Sequence, residues 1–276
     1  MIPDHETNTV YVSDLLEEQH PRIVKALKKL LGDRLKTIHG TKDIWCRDYM
    51  PIQLAQDRFV QFKYAPDYLK GYPHLRTDDA ARLLELTHNC RRSGIVIDGG
   101  NLVRWNDLAI LTEKEFSENP NYEPDRLVWQ LLRKELEARR LIWVPQEPED
   151  KIGHADGMVR FVNEKTLLVN DYAGVDEQFG EQPYDALEGF ELIPFPYSPT
   201  HEPGSDPEMD SALGVHMNFL QVGNLIVCPI FKQPEDDQAL RTLEEVFPKA
   251  RIEPLECRKL AMEGGVLNCI TWNIKS

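Results

Sequence analysis

Four short segments of the chain put reactive or charged side chains beside glycine or at strand ends. They are Trp45-Cys46-Arg47-Asp48, Asp98-Gly99-Gly100-Asn101, Gly153-His154-Ala155-Asp156-Gly157 and Glu263-Gly264-Gly265-Val266-Leu267-Asn268-Cys269. His154 and Asp156, two apart on an extended strand, would face the same side and approach one ligand together. The glycines at 153 and 157 would let that ligand come close to the backbone. A turn in which Asp156 caps and His154 packs fits the same letters. Arg47 and Asp48 could likewise serve only ion pairs inside the fold, and Cys269 could be an idle thiol. If the four segments converge, the site holds one thiol, one imidazole and two or three carboxylates, with no lysine and no obvious metal set. Paired carboxylates without a metal call for a cation, and the planar N–H fork of a guanidinium matches them best. A thiolate can attack the central carbon of that guanidinium while histidine protonates the leaving amine. That is covalent deiminase chemistry, and it needs no cofactor.

The remaining thiols read differently. Cys228 lies in an apolar run, Cys90 and Cys257 have basic neighbours, and Cys46 alternates with Trp45 and Arg47 and should point away from them. Five cysteines without a C-x-x-C pair suggest no disulfide framework or zinc site, and predict a reduced, intracellular compartment. A metal hydrolase built on His39, His154 and Asp156 would lack the i, i+4 histidine spacing, and no calcium-binding run is present.

Alternating strands and helices must position these segments. Thr9 to Val12 reads as a strand, and Pro21 to Leu31 as a helix started by proline and ended by Gly32. Residues 79 to 86 suggest a short helix, and 94 to 98 a strand. Residues 124 to 140 suggest a helix opened by Pro124, with Leu127, Leu131, Leu132 and Leu136 as its buried stripe. A strand at 141–144 follows, then a hairpin of 158–162 and 166–170. A strand at 225–231, a helix at 235–246 and a final strand around 266–273 complete the pattern. The Pro-rich stretch 194–211 reads as a long surface loop, a candidate lid. D-G-G-N-L at 98 and E-G-G-V-L at 263 echo each other, as repeated units meeting at a centre would, although acid-Gly-Gly is also a common turn. No composition break marks a linker, so 1–276 reads as a single α/β domain.

Charge narrows the partners. With 32 Lys+Arg against 46 Asp+Glu the net charge is −14, which gives no footprint for nucleic acid and repels anionic membrane surfaces. The apolar run Leu225 to Phe231 is too short to span a bilayer, and MIPDHETNTVYV lacks the marks of a signal peptide. The expected location is cytoplasmic and the expected partner a small cation; a homo-oligomer is left open.

Five motifs in order resemble one family: W-C-R-D-Y-M-P at 45–51, D-G-G-N at 98–101, G-H-A-D-G at 153–157, M-N-F-L-Q-V-G-N-L-I-V-C-P-I-F at 217–231 and E-G-G-V-L-N-C-I-T at 263–271. The chain resembles the agmatine deiminase and bacterial-type peptidyl-arginine deiminase family of the guanidine-modifying superfamily. The resemblance implies a five-bladed α/β-propeller of ββαβ-type units with a central active site. It implies Cys269 as nucleophile, His154 as general acid/base, and Asp48 and Asp156 as the grip on the guanidinium. Asp98, where many relatives have Glu, would orient His154, Trp45 would wall the pocket, and Arg47 would be a structural partner. The implied substrate is agmatine or a similar small alkylguanidine, with a place in putrescine and polyamine metabolism. Free arginine, peptidyl-arginine, an amidinotransferase reaction and a non-catalytic guanidinium binder are the alternatives. The chain departs from the family in lacking an aromatic-rich N-terminal segment, and in having Asn268 where relatives commonly have His.

Overall fold

The computed structural model describes residues 1–120, 126–148, 150–200, 204 and 210–276. Among them, fifteen strands form five sheets of three. β1 (Thr9–Ser13) is joined through α1 (Leu15–Gln19) and α2 (Pro21–Leu31) to β2 (Leu35–Ile38), which lies parallel to it. A short helix, α3 (Cys46–Tyr49), leads into β3 (Ile52–Ala55), which pairs antiparallel with β4 (Arg58–Lys63). β5 (Cys90–Val96) then returns parallel to β4. The next sheet repeats this order with β6 (Val103–Trp105), β7 (Leu108–Thr112), the helices α4 (Lys114–Glu118) and α5 (Arg126–Glu135), and β8 (Arg140–Val144). So does the fourth, with β9 (Val159–Phe161), β10 (Thr166–Asn170), α6 (Glu177–Ala186) and β11 (Glu191–Phe195). The fifth has β12 (Leu220–Val222), β13 (Leu225–Ile230), α7 (Glu235–Val246) and β14 (Arg251–Glu256). Finally β15 (Trp272–Ile274) pairs antiparallel with β1 and supplies the first sheet's missing strand, so both ends of the chain close one blade. This is the five-bladed α/β-propeller.

The apolar cores lie where helices and sheets of the blades pack. α2 shows how: Pro21 takes the first helical position, Gly32 stops the helix at φ +56°, and Ile23, Val24, Leu27 and Leu31 are buried. They pack with Val10, Val12, Leu225 and Val227, each aliphatic side chain contributing about 1.5–3 kcal/mol. The axis is different. The second residue of every first strand is polar and buried: Gln53, Arg104, Arg160, Gln221 and Asn273. Arg104, Arg160 and Asn273 all donate to Asp4 in the N-terminal turn, at 3.2, 2.8 and 3.2 Å. The propeller therefore has a polar column down its middle.

Several expectations need correction. Residues 79–86 form 3-10 turns rather than an α-helix, because Asp79 and Glu85 sit in left-handed backbone at φ 53° and 56°. The strand expected at 94–98 begins at Cys90 and ends at Val96, leaving Asp98 outside it, extended, at the entry to the 3-10 turn Gly99–Asn101. Leu132 in α5 and Leu136 just after it are buried, but Leu131 is 42% exposed; Pro124 and the side chain of Leu127 lie outside the described residues. The apolar stretch 266–273 is a turn followed by a three-residue strand. The middle of the Pro-rich loop, 201–203 and 205–209, lies outside the described residues, while Pro199, Thr200, Asp210 and Ser211 border the central pocket. Among the described residues no helix is long and apolar enough to cross a membrane.

Candidate active site

A tight turn precedes each short first strand, and hydrogen bonds tie these turns together at one end of the axis. Gly100 N–H donates to Asp48 Oδ1 at 3.0 Å, and Ala155 N–H to Asn101 Oδ1 at 3.1 Å. Asn268 Nδ2 donates to Asp156 Oδ2 at 2.6 Å, and Asn268 N–H to Asn218 O at 3.0 Å. Arg47 N–H closes the ring on Cys269 O at 3.0 Å. Two glycines allow the close approach. A Cβ at Gly100 would stand 2.6 Å from both Asp48 Oδ1 and His154 Nδ1, and one at Gly265 2.6 Å from the Trp45 ring. The two acid-Gly-Gly segments thus share a physical need: backbone must pass against the side chains of the neighbouring blade.

The turns surround a pocket of about 690 Å³. Trp45, Asp48, His154, Asp156 and Cys269 line it, and Asp98 stands behind His154. All six residues singled out from the sequence are therefore brought together. The local geometry at 154–156 differs from the expected strand: His154 is extended, but Asp156 belongs to the 3-10 turn Ala155–Gly157. His154 Nε2 donates to Asp98 Oδ2 at 3.1 Å, and Nδ1 lies 3.6 Å from Asp48 Oδ1. Burial opposes charge on this imidazole, but Asp48, Asp98 and Asp156 outweigh it and hold its pKa up at about 10. Burial, with repulsion from Asp98 and Asp156, pushes Asp48 up to about 8 despite the imidazolium beside it. Burial and then Asp156 and Asp48 keep the Cys269 thiol well above its ordinary value. The geometry is short of positive charge, which an incoming cation would supply.

Other residues hold this set in place. Arg47 is buried and donates from Nε to Asn268 O (3.2 Å) and from Nη2 to Asn268 Oδ1 (2.9 Å) and Asn273 Oδ1 (2.7 Å), so it is a structural partner. That grip turns the Asn268 amide toward Asp156. Cys46 points away from the pocket, its thiol donating to Ile270 O at 3.1 Å. Cys90, Cys228 and Cys257 are absent from the lining, and His39 lies on the surface 3.4 Å from Asp14. Among the described residues no group of His, Cys, Asp and Glu is arranged to hold a metal ion.

Sequence reasoning missed two neighbours. Asn218 Oδ1 accepts from the Cys269 thiol (3.3 Å) and from the N–H groups of Asn268 (3.1 Å) and Cys269 (3.3 Å). The available signal was its place just before β12, equivalent to the other four turns. Tyr68 O–H donates to Asp98 Oδ2 at 2.7 Å, and no sequence signal marked it. Further out, the pocket wall carries Tyr64, Tyr72, Tyr172 and Tyr197 with the carboxylates Glu147, Asp150, Asp176 and Glu263. Among the described lining residues Lys151 and His154 are the only basic side chains.

Comparison with known proteins follows the same lines. The profile of the Porphyromonas-type peptidyl-arginine deiminase family matches residues 1–274. An agmatine deiminase of Ectopseudomonas mendocina is 28% identical, over 89% of this chain and 78% of its own length. Among solved structures, the agmatine deiminase of Enterococcus faecalis superposes with a TM-score of 0.77 at 17% identity, over 99% of this chain and 94% of that one. DDAH from Pseudomonas aeruginosa, solved with citrulline, superposes at 0.58 and 10% identity, over 97% and 99% of the two chains. At these identities the structural matches speak for the fold.

Proposed function

The chain belongs to the Porphyromonas-type peptidyl-arginine deiminase family, and on that premise we propose that it is a cysteine-dependent hydrolase of amidine C–N bonds. It converts a guanidino substrate, agmatine or a similar small alkylguanidine, to the ureido product and ammonia. The observation that carries this reading is the meeting of Cys269, His154, Asp98, Asp48 and Asp156 around one pocket. Asp48 and Asp156 clamp the guanidinium and set its carbon over Cys269. The arriving cation favours the thiolate that burial and the two carboxylates otherwise suppress. Sulfur attacks the carbon, giving a tetrahedral adduct; His154 protonates one nitrogen, and ammonia leaves an S-alkylthiouronium behind. Neutral His154 then takes a proton from water, the hydroxide adds to the same carbon, and the Cys269 thiolate departs from the ureido product. Asn218 aims the thiol, and Arg47 and Asn268 brace Asp156.

The wall chemistry favours a tail ending in an amine over the carboxylate of free arginine, since among the described lining residues it offers carboxylates and tyrosines, with Lys151 as the one cation beyond His154. Action as one unit over 1–276, a cytoplasmic location and the absence of a nucleic-acid partner belong to the same proposal; the charge of −14 supports the last. Ammonia and ureido product should be measured from agmatine, arginine and an arginyl peptide. Agmatine is expected to give the highest kcat/KM, and Cys269→Ala to give no turnover. Turnover retained in Cys269→Ala would end the scheme, and preference for arginine would end the substrate assignment.

A further inference from the structure

We propose that Tyr68 is a positioning residue for His154, holding the Asp98 carboxylate in place and drawing off part of the negative charge that aligns the imidazole. The inference rests on the deiminase reading above. Both donors to Asp98 fall on one oxygen: Tyr68 O–H at 2.7 Å and His154 Nε2–H at 3.1 Å reach Oδ2. The other oxygen, Oδ1, is buried and has no hydrogen-bond partner among the described residues. Without the phenol, the carboxylate could rotate and present either oxygen to the imidazole. With it, one oxygen is fixed between two donors. A hydroxyl bond to a carboxylate is short and strong, and the donor takes up charge that would otherwise hold the proton on His154.

Tyr68 is built into that place. Its turn, Asp67–Leu69, is strapped to α4: Asp67 N–H donates to Glu118 Oε1 at 2.9 Å, and Lys114 Nζ donates to Asp67 Oδ1 at 2.8 Å. The same ammonium sits 5.7 Å from the centre of the Tyr68 ring, and that ring stands edge-on to His154 with centroids 6.3 Å apart. The other titratable groups facing His154 are Asp48 from α3, Asp98 at the entry to its turn, Asp156 in its turn, Asp150 from the preceding segment and Glu115 from α4. Asp43, Tyr64 and Glu118 lie close enough to Asp98 that its charge raises the pKa of each. The carboxylates favour the imidazolium. Yet His154 must give a proton to the leaving nitrogen and then accept one from water, so a neutral donor that loosens its hold is needed on Asp98.

The test is Tyr68→Phe in the full chain, which keeps the ring and removes the hydroxyl. Ring-carbon NMR of His154, assigned with His154→Gln, reads the titration directly. It is expected to move up by about half to one pH unit. In steady-state kinetics kcat should fall about tenfold or more with KM changed less than about twofold, and the alkaline-side inflection of kcat, where His154 loses the proton it must donate, should move up with the NMR titration. An unmoved titration, or a moved titration with an unmoved kcat inflection, overturns the proposal. The titration needs no turnover, so a wild-type protein silent toward every guanidino compound would end the deiminase reading while the NMR still decides this one.

Discussion

His154 shares its surroundings with three carboxylates, and that crowding gives the site a definite response to pH. Asp48 is pushed up to about 8 by burial and by Asp98 and Asp156. Above that pH it is ionised and can grip a guanidinium; as pH falls it takes a proton and the clamp loses a charge. KM for the preferred guanidino substrate is therefore expected to rise as pH drops from about 8 to 6, approaching tenfold per unit. Asp48→Asn should raise KM at pH 9 by roughly 10- to 150-fold, the loss of a hydrogen bond to a charged group, and should flatten the profile. A wild-type KM that is constant across this range would contradict the assignment. At this scale much of the site was legible, because a thiol, an imidazole and carboxylates beside glycine carry their chemistry in their letters. Asn218 and Tyr68 were not legible: an amide and a phenol become informative only once another blade brings Cys269 or Asp98 to them.

The elements divide along a similar line. α2 and α7 follow their expected bounds, since a helix writes its buried face into local spacing and its ends into Pro21 and Gly32. The hairpin of β9 and β10 was equally plain. The stretch before β15 was misread as strand because Val266, Leu267 and Ile270 are apolar. They are apolar because they pack into the core beside α2, and their turn leaves Cys269 facing the pocket. The 3-10 turns after β4 were misread as a helix because periodicity cannot register the left-handed backbone at Asp79 and Glu85. The polar residue inside each first strand also escaped notice. Alternation marks one face as apolar and the other as polar, but does not say that the polar face of all five strands is buried together.

At the scale of the whole molecule, the order of blades came from the resemblance of five motifs rather than from periodicity, because β15 closing onto β1 is a pairing across the full chain. That closure places Asp4 at the foot of the axis, with Arg104 and Arg160. Burial works against this carboxylate, but the two guanidiniums outweigh it and hold its pKa down at about 2. A depressed folded-state pKa stabilises the fold fully above the ordinary carboxylate value of 3.8, and that stability is lost as pH falls toward 2. Asp4→Asn is expected to cost about 2–4 kcal/mol in urea unfolding at pH 7, less than breaking a fully buried pair because Asp4 keeps some exposure. The gap to wild type should shrink at pH 2.5; an equal gap at both pH values would contradict the account. Above that column, the turns of the five blades meet around one pocket lined by Cys269, where the proposed reaction puts a thiol over a guanidinium carbon. The most direct measurement is mass spectrometry of the protein acid-quenched during turnover of agmatine. The account requires an S-alkylthiouronium adduct on the peptide carrying Cys269, present in wild type and missing in Cys269→Ala. Steady turnover with Cys269 unmodified at every quench time, or an adduct on another cysteine, would contradict it.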